Sequence, residues 1–411
     1  MSTIKTCCAA FFLIAGLLSP ASFGLTEEDF LGRWEIMIDD SGTTFNACWL
    51  EVNRGDSGLP GSLLWRWGSV VPAKSIALVG DELQVIRPEE YKKKIYDVVY
   101  KATLRYDRLI GMAEQPDGSV QHFWGRRAPQ PPVDVSGTWD LTIHSENKQL
   151  RHELILVQKG MKIAGLVAMG DTASGIQKAD LDGNRLVLTI ASQDIKGHES
   201  GMRLDLEMRG DRAVGTASMG EKPGLKITGQ RRRVWGDPVE LFNGRDLSNW
   251  LTRDPAATMK WYVEDGVMGT SPPGTDIYTR QVFDDFRLHV EFKMSKDANS
   301  GIYVRGRYEV QLLDDYGKGV ESHGMGSVYS RIAPTKNATK PAGEWQVYDI
   351  TLIGRWLTVV LNGETIVENQ YLEGITGGAI DSFENEPGSI MLQDHGDRVW
   401  YRKVTVTPVL K

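Results

Sequence analysis

An internal repeat constrains the fold of this chain more than any other feature of its sequence. Two pairs of matching segments define it: LGRWEIMI (31–38) with SGTWDLTI (136–143), and DRLIGMA (107–113) with DRAVGTA (211–217). The first pair places Trp34 and Trp139 105 positions apart, and the second pair is offset by 104 positions. Because separate landmarks keep almost the same spacing, the first half of the chain is predicted to be a duplicated module.

The two copies are predicted to cover residues 25–127 and 133–233, joined by the proline-rich linker APQPPVD (128–134). Each copy consists of short segments of alternating apolar and polar residues, broken by Gly, Asp and Asn. This spacing indicates a small antiparallel barrel or sandwich. The opening G-x-W motif resembles the first strand of lipocalin-like barrels, in which a tryptophan closes one end of the barrel.

The first copy carries four further tryptophans: Trp49, Trp65, Trp67 and Trp124. Their side chains either fill the core of the module or stack on sugar rings. Trp65 and Trp67 are two positions apart, so in a strand they would share one face. The two modules are therefore assigned to contact with a ligand or a partner.

The N-terminal segment, residues 1–24, has the pattern of a secretory signal. Lys5 precedes the apolar run CCAAFFLIAGLL, and small residues lead to a cleavage position after Gly24. We therefore expect a secreted or periplasmic protein. The remaining chain keeps one cysteine, Cys48, so no internal disulfide is expected. No other segment is apolar enough for a transmembrane helix, and a formal charge of -7 with interspersed signs does not indicate a nucleic-acid partner.

After the second copy the pattern changes to longer amphipathic strands. FRLHVEFKM (286–294) alternates apolar and polar residues, which is typical of a half-buried antiparallel strand. LTVVLNGETIVE (357–368) contains an Asn-Gly pair, the strongest short signal for a β-hairpin. Residues 235–411 are therefore predicted to form a single domain of two packed antiparallel sheets. The polar, glycine-rich segment 373–389 is predicted to be a mobile loop over the edge of the sandwich.

Several strands of this domain carry polar residues at their outward positions. In YEVQLLDDYG (308–317), Glu309 and Gln311 lie on one face while the residues between them are apolar. The outward side chains of the domain that could converge in one groove are Tyr303, Arg305, Glu309, Gln311, Gln393 and His395. His323, in the glycine-rich stretch ESHGMGS, is placed in a loop beside the same groove.

Six segments of the C-terminal half form a recognisable series: ELFNGRDLSNW (240–250), WYVEDGVMG (261–269), FDDFRLHVEFKMSKDANSGIYVR (283–305), YEVQLLD (308–314), KNATKPAGEWQVYDI (336–350) and IMLQDHGDRVWYRKVTV (390–406). In this order they resemble the 3-keto-disaccharide hydrolase domain family, whose fold is a concanavalin A-like jelly roll. The predicted fold class is all-β, with two tandem small antiparallel β-barrel or sandwich repeats followed by a concanavalin A-like β-jelly-roll sandwich.

The resemblance implies an enzyme that cleaves glycosides whose sugar has been oxidised at carbon 3. A ketone at that carbon acidifies the C2 proton, so a base can remove the proton and the glycosidic oxygen at C1 leaves by elimination. Water then adds to the enone. Such a site needs a base, a stabiliser of the enolate oxygen and an acid for the leaving group.

Applied to this sequence, the resemblance makes Glu309 or His395 the base and Arg305 the group that neutralises the enolate. The expected substrate contacts are Gln311, Gln393, Tyr303 and His323. A divalent metal held by Glu309 and His395 is also implied, since a metal would polarise the ketone. The sequence itself contains no H-x-H or H-E-x-x-H pattern.

Two other functions remain open at this stage. The spacing E-x-Q-x-x-D at Glu309, Gln311 and Asp314 is similar to the E-x-D-x-x-E of laminarinase-like retaining glycosidases, which use two carboxylates about 5 Å apart. Sandwiches of this class also serve as non-catalytic carbohydrate-binding or partner-binding modules. Convergence of the polar residues in a pocket with a shifted pKa would favour an enzyme.

Overall fold

The computed structural model describes residues 24–40, 43–65, 67–130, 133–146, 148–160, 162–170, 172–190, 201–220 and 222–410. The predicted secretory signal lies outside these residues apart from Gly24, and export stays a prediction. One 3-10 helix, Glu27–Phe30, precedes 30 β-strands in the described part of the chain. The all-β fold class is therefore confirmed. The described residues contain no helix that is both long and apolar enough to cross a membrane.

The first module is a meander of antiparallel strands. The strands are β1 (Gly32–Asp40), β2 (Thr43–Val52), β3 (Gly61–Leu64), β4 (Val71–Pro72), β5 (Ser75–Val79), β6 (Glu82–Tyr91), β7 (Lys94–Arg105), β8 (Arg108–Glu114) and β9 (Val120–Arg127). They follow the order β4-β3-β2-β1-β9-β8-β7-β6-β5 in the sheet. Because β1 pairs with β9, the sheet curls around one apolar core.

The second module is a closed antiparallel barrel. Its strands are β10 (Gly137–His144), β11 (Gln149–Lys159), β12 (Lys162–Met169), β13 (Thr172–Asp182), β14 (Arg185–Ile190), β15 (Met202–Arg209), β16 (Arg212–Met219) and β17 (Leu225–Arg231). Consecutive strands are neighbours, and β17 pairs with β10. Closure of the barrel leaves no unpaired sheet edge among these strands.

The repeated G-x-W motif has the same surroundings in both modules. Trp34 and Trp139 are fully buried. Each indole nitrogen donates to the backbone oxygen four residues earlier, at 2.9 Å to Phe30 and 3.0 Å to Val135. The last strand of each module also places an arginine over the ring, Arg127 over Trp34 and Arg231 over Trp139. The same local packing therefore recurs in both modules, whose boundaries stay a prediction.

The C-terminal domain is a sandwich of two antiparallel sheets. The larger sheet contains β18 (Val239–Glu240), β20 (Trp261–Glu264), β21 (Val267–Thr270), β23 (Phe286–Met294), β26 (Gln346–Ile353), β27 (Trp356–Leu361), β28 (Glu364–Tyr371) and β30 (Val399–Pro408). Its strands follow the order β20-β21-β30-β23-β26-β27-β28, and β18 pairs with β30. The smaller sheet contains β19 (Trp250–Thr252), β22 (Ile277–Thr279), β24 (Asn299–Val304), β25 (Tyr308–Leu313) and β29 (Met391–Leu392). Its strands follow the order β19-β22-β29-β24-β25.

The sandwich forms because alternate residues of its strands are apolar. In β23 every second side chain, from Phe286 to Met294, is buried in the core between the sheets. The hairpin between β27 and β28 turns at Asn362 and Gly363, whose φ angles of 52° and 83° are those of a two-residue hairpin loop. Both elements confirm the expectations from the sequence.

The first module packs directly against the C-terminal domain. Trp49 and Leu64 of the first module share a small buried cluster with Ile375 and Ala379 of the C-terminal domain. The indole nitrogen of Trp49 also donates to the backbone oxygen of Ile375 at 3.0 Å. The first module is thereby fixed against the segment of the C-terminal domain that contains Ile375.

The predicted common face of Trp65 and Trp67 is not formed. Trp65 lies in the core of the first module, edge-on to Tyr100 and Phe123, with ring centroids 4.6 Å and 5.5 Å away. Trp67 is 57% exposed. The alternation breaks because β3 ends at Leu64, so the two tryptophans do not belong to one strand.

Candidate functional site

Neighbouring strands of the smaller sheet bring four side chains into one row, in the order Tyr278, Met391, Tyr303 and Glu309. At one end of the row, Tyr278 of β22 faces Met391 of β29. At the other end, Tyr303 of β24 pairs with Met391 and with Glu309 of β25. The next residue of β25, Val310, points into the core between the sheets. The row therefore lies on the outer face of the sandwich, where the sequence places Glu309.

A second row lies beside the first. Gly301 faces Gln311, and the backbone nitrogen of Gln393 donates to the oxygen of Gly301 at 3.0 Å. A Cβ atom at Gly301 would lie 2.3 Å from Oε1 of Glu309. Glycine is required here because the Glu309 carboxylate occupies the space above it.

Two polar side chains contact the Glu309 carboxylate, and a third contacts one of these two. The Tyr303 hydroxyl lies 2.9 Å from Oε2 of Glu309 and 2.8 Å from the backbone oxygen of Gly377. With a single proton, this hydroxyl donates to one of the two oxygens at a time. Gln311, with its amide oriented to satisfy its neighbours, donates to Oε1 of Glu309 at 3.1 Å. Gln393 Nε2 donates to the Tyr303 hydroxyl at 3.3 Å.

Burial raises the pKa of Glu309 to about 8, since the residue is 4% exposed. The hydrogen bond from Tyr303 lowers this pKa, and the charge of Asp276 raises it further. Burial also holds the pKa of Tyr303 well above its ordinary value, so its hydroxyl remains a proton donor. Glu309 therefore keeps a proton near neutral pH and is a stronger base than an ordinary glutamate once it is ionised.

Three buried polar atoms near this carboxylate have no hydrogen-bond partner among the residues that the structure describes. They are Gln393 Oε1, Asp394 Oδ2 and Ser327 Oγ. Ser327 belongs to the site because its backbone oxygen accepts from the nitrogen of Gln311 at 3.0 Å. Burial raises the pKa of Asp394, and the nearby charge of Asp276 adds to the increase. Unpaired buried polar atoms cost free energy, so they are natural partners for the hydroxyl groups of a sugar.

Comparison with known proteins identifies the family of this domain. Residues 237–407 match the family described as the 3-keto-alpha-glucoside-1,2-lyase-like domain. The family predicted from the sequence is confirmed for this segment. The predicted class, a glycoside hydrolase or lyase, is confirmed at the level of the family. We refer to residues 237–407 as the lyase-like domain.

Individual relatives are similar to this chain over about two fifths of its length. A 3-keto-disaccharide hydrolase of Bacteroides thetaiotaomicron is 24% identical over 224 residues, which cover 41% of this chain and 77% of that protein. Two solved structures from Parabacteroides distasonis ATCC 8503 are described as candidate glycosyl hydrolases. One is 31% identical, covering 41% of this chain and 83% of its own, with a TM-score of 0.37. The other is 24% identical, covering 42% and 94%, with a TM-score of 0.35.

The lyase-like domain brings four of the predicted site residues together: Tyr303, Glu309, Gln311 and Gln393. A fifth, His323, lies at the rim of the site. Its ring is edge-on to Tyr329, with centroids 4.8 Å apart, and the backbone nitrogen of Tyr329 donates to the oxygen of Glu309 at 3.0 Å. His323 also contacts the first module, since its Nε2 lies 2.9 Å from Oγ of Ser69.

His395 is exposed and lies beyond Leu392, the last residue of β29. No hydrogen bond joins it to Glu309 in the part of the chain that the structure describes. Its charge acts on Asp394, whose pKa it lowers slightly against the larger effect of burial. His395 is therefore placed at the edge of the site, and its role as base stays a prediction.

Arg305 does not lie with the Glu309 carboxylate, and its predicted role as the group that neutralises the enolate stays a prediction. Its guanidinium donates to Oδ1 of Asp284 at 3.0 Å and to Oδ1 of Asp285 at 3.1 Å. The strand ends at Val304, and Arg305 has a positive φ of 52°, which begins the turn to β25. The turn interrupts the alternation that aligned Arg305 with Tyr303 in the sequence.

The rival glycosidase interpretation requires a second carboxylate beside Glu309. Asp314 is the residue at the required spacing, but it lies beyond the end of β25. Its Oδ2 accepts a hydrogen bond from the backbone nitrogen of Asp297 at 2.8 Å. Asp314 is thus engaged with the neighbouring turn and holds the end of the strand in place.

The metal implied by the family resemblance does not fit these side chains. Within the described ranges, no group of three or more His, Cys, Asp or Glu residues could hold a metal ion. Glu309 Oε2 is engaged by Tyr303, and His395 stands at the exposed edge of the site. We therefore assign no chemical step to a metal.

Sequence reasoning missed the segment that closes the site. Residues 373–389 were expected to be a mobile loop, but most of them from Gly374 to Ile380 are buried. Thr376 Oγ1 accepts from the backbone nitrogen of Glu309 at 2.9 Å, and the oxygen of Gly377 meets the Tyr303 hydroxyl. Because these contacts join residues about 70 positions apart, no local sequence pattern predicts them.

Proposed function

We propose that the lyase-like domain cleaves 3-keto disaccharides and related 3-keto glycosides by removing the proton at carbon 2. The observation that carries this proposal is the Glu309 carboxylate, which is buried beside Tyr303 and has a pKa of about 8. A base of this strength suits proton abstraction next to a ketone. The relative named 3-keto-disaccharide hydrolase supports the substrate class.

The proposed reaction is balanced without an oxidant or a reductant. Glu309 takes the C2 proton, and the electron pair of the C–H bond forms an enolate across C2 and C3. The enolate then returns to the ketone while a double bond forms between C1 and C2 and the glycosidic C1–O bond breaks. The leaving oxygen takes the proton that Glu309 removed from C2, which restores the ionised carboxylate. Water finally adds across the double bond, with its hydroxyl at C1 and a proton at C2, so the net change is hydrolysis.

The neighbours of the carboxylate supply the remaining functions in this proposal. Tyr303 takes the place of Arg305 as the donor to the enolate oxygen, because its hydroxyl keeps its proton and lies within 2.9 Å of the base. The unpaired oxygens of Gln393 and Asp394 receive hydroxyl groups of the sugar. The site thus contains a base and a hydrogen-bond donor to the enolate oxygen.

A pair of substrates tests the proposed function directly. The full chain is incubated with a 3-keto disaccharide and, separately, with its unoxidised parent. We expect release of the second sugar from the keto form alone. Cleavage of the parent would instead support an ordinary glycosidase. Binding of both compounds without cleavage of either would support a carbohydrate-binding module.

The dependence of activity on pH identifies the role of Glu309. If Glu309 is the base, kcat/KM for the keto substrate rises with pH through an apparent pKa of about 8, because only the ionised carboxylate accepts the proton. Below that value the activity should fall about tenfold for each pH unit. A kcat/KM that instead falls as the pH rises through about 8 would make Glu309 the acid and would contradict this assignment.

Arg305 serves as a control for the residues of the site. Arg305→Ala removes a buried guanidinium that pairs with Asp284 and Asp285, so we expect a loss of about 3 kcal/mol in the free energy of unfolding. Because Arg305 does not touch the carboxylate, kcat/KM of the folded variant should stay within about threefold of the wild type. Urea unfolding and steady-state kinetics measure the two effects. A loss of activity as large as that of a Glu309 variant would show that Arg305 takes part in catalysis.

A further inference from the structure

The first module reaches the edge of the lyase-like domain with the loop between β3 and β4. The backbone nitrogen of Val70 donates to Oγ of Ser330 at 3.0 Å, and Ser69 contacts His323. The backbone of Gly68 approaches Gly377 so closely that a Cβ atom on Gly377 would lie 2.0 Å from the oxygen of Gly68. The loop is therefore docked beside the candidate site.

Two short chains of contacts connect Trp67 of this loop to the site. Along the first, the adjacent Gly68 touches Gly377, whose backbone oxygen lies 2.8 Å from the hydroxyl of Tyr303. Along the second, the guanidinium of Arg253 lies over the Trp67 ring, 4.9 Å from its centroid, and pairs with Asp276 at 3.0 Å. Both chains end at groups that act directly on Glu309, and the contact with Arg253 fixes the orientation of the indole.

The exposure of Trp67 sets it apart from the other tryptophans near the interface. Trp34, Trp49 and Trp65 are all buried, whereas Trp67 is 57% exposed. A large apolar ring held beside the polar side chains of the site is suited to cover the C–H face of a sugar ring. The hydroxyl groups of the same sugar would remain available to the polar atoms of the site.

We propose that Trp67 binds the sugar on the leaving-group side of the substrate and so sets a preference for disaccharides over glycosides with a small aglycone. The reacting ring must place its C2 against Glu309. Trp67 reaches Glu309 through other residues: Tyr303 lies between them on one side and Asp276 on the other. The ring that packs on Trp67 is therefore the neighbouring one. This inference rests on the proposed function, and it assigns a substrate-binding role to the first module, which lies outside the family match.

The test compares Trp67→Ala and Trp67→Phe with the wild type on two keto substrates, a 3-keto disaccharide and a methyl 3-keto glycoside. For Trp67→Ala we expect kcat/KM on the disaccharide to fall about tenfold through KM, with kcat and the methyl glycoside unchanged. Trp67→Phe should keep most of the activity, because a ring remains. Tyr106→Ala, which removes a fully exposed aromatic residue from another loop of the same module, is the matched control and should have no effect.

A binding measurement separates this inference from the proposed function. Calorimetric titration with the unoxidised parent disaccharide should give a Kd about tenfold weaker for Trp67→Ala than for the wild type, whether or not the chain cleaves keto sugars. If keto substrates are cleaved but Trp67→Ala matches the wild type on both, the role of Trp67 is wrong and the proposed function stands. If nothing is cleaved but binding requires Trp67, the proposed function fails and sugar binding by Trp67 stands. Equal Kd values overturn the inference in either case.

Discussion

Glu309→Gln should reduce kcat/KM for a 3-keto glycoside by about 10³-fold while making the folded protein more stable at alkaline pH. The activity falls because glutamine cannot accept the C2 proton. The stability rises because Glu309 ionises near pH 4.5 when the chain is unfolded but near pH 8 when it is folded. Wild-type stability therefore decreases as pH rises from about 4.5 to about 8 and stays at the lower level above that. A neutral glutamine avoids this loss, which is on the order of 5 kcal/mol.

Urea unfolding of the wild type and Glu309→Gln at pH 5 and pH 9 measures the stability effect. The midpoints should be close at pH 5, and the variant should be clearly more stable at pH 9. Glu321→Gln changes an exposed glutamate of the same domain and should give no difference at either pH. A Glu309→Gln variant that is no more stable than the wild type at pH 9 would show that the carboxyl group is not held neutral by burial.

Glu384→Ala should lower the free energy of unfolding by about 3–5 kcal/mol, the largest destabilisation that we expect from a single substitution. Glu384 is buried, and its Oε2 pairs with Arg33 of the first module and lies 3.6 Å from Nη1 of Arg355. Arg355 also donates to the backbone oxygen of Pro129 in the linker, at 3.1 Å. Removing the carboxylate leaves two buried guanidinium groups without their shared anion. It also weakens the contact between the first module and the lyase-like domain.

Glu386→Ala is the matched control, because Glu386 is exposed and lies two positions away. We expect its free energy of unfolding to stay within about 0.5 kcal/mol of the wild type. Proteolysis under native conditions provides a second measurement, since loosened modules should be cut faster in the linker, residues 128–134. If Glu384→Ala and Glu386→Ala unfold at the same denaturant concentration, Glu384 does not join the modules.

The sequence predicted those features that depend on local spacing. Alternation over β25 placed Glu309 and Gln311 on one face, because successive side chains of a strand point to opposite sides. The Asn-Gly pair at 362–363 predicted the hairpin, because its two residues accept the positive φ angles that the turn requires. The family resemblance supplied the expected chemistry of this face.

Features that depend on contacts between distant residues were beyond such reasoning. Arg305 was misplaced because Arg305 and Gly306 both have positive φ angles and end the alternation in a turn. Segment 373–389 was expected to be mobile because it is polar and rich in glycine, yet its backbone packs against Trp49 and Tyr303. Trp67 belongs to a different module, so its place at the site follows only from the way the modules dock.

Hydrogen exchange at carbon 2 during cleavage tests the central claim most directly. The full chain is allowed to cleave a 3-keto disaccharide in deuterated water, and the released keto sugar is analysed by NMR and mass spectrometry. The product incubated alone for the same time corrects for spontaneous exchange. Elimination followed by addition of water predicts one deuterium at C2 of every product molecule, and Glu309→Gln should lose this activity. In the proposed route Glu309 gives the abstracted proton to the leaving oxygen, so C2 takes its new hydrogen from water, and a product that keeps its original hydrogen at C2 would contradict this route.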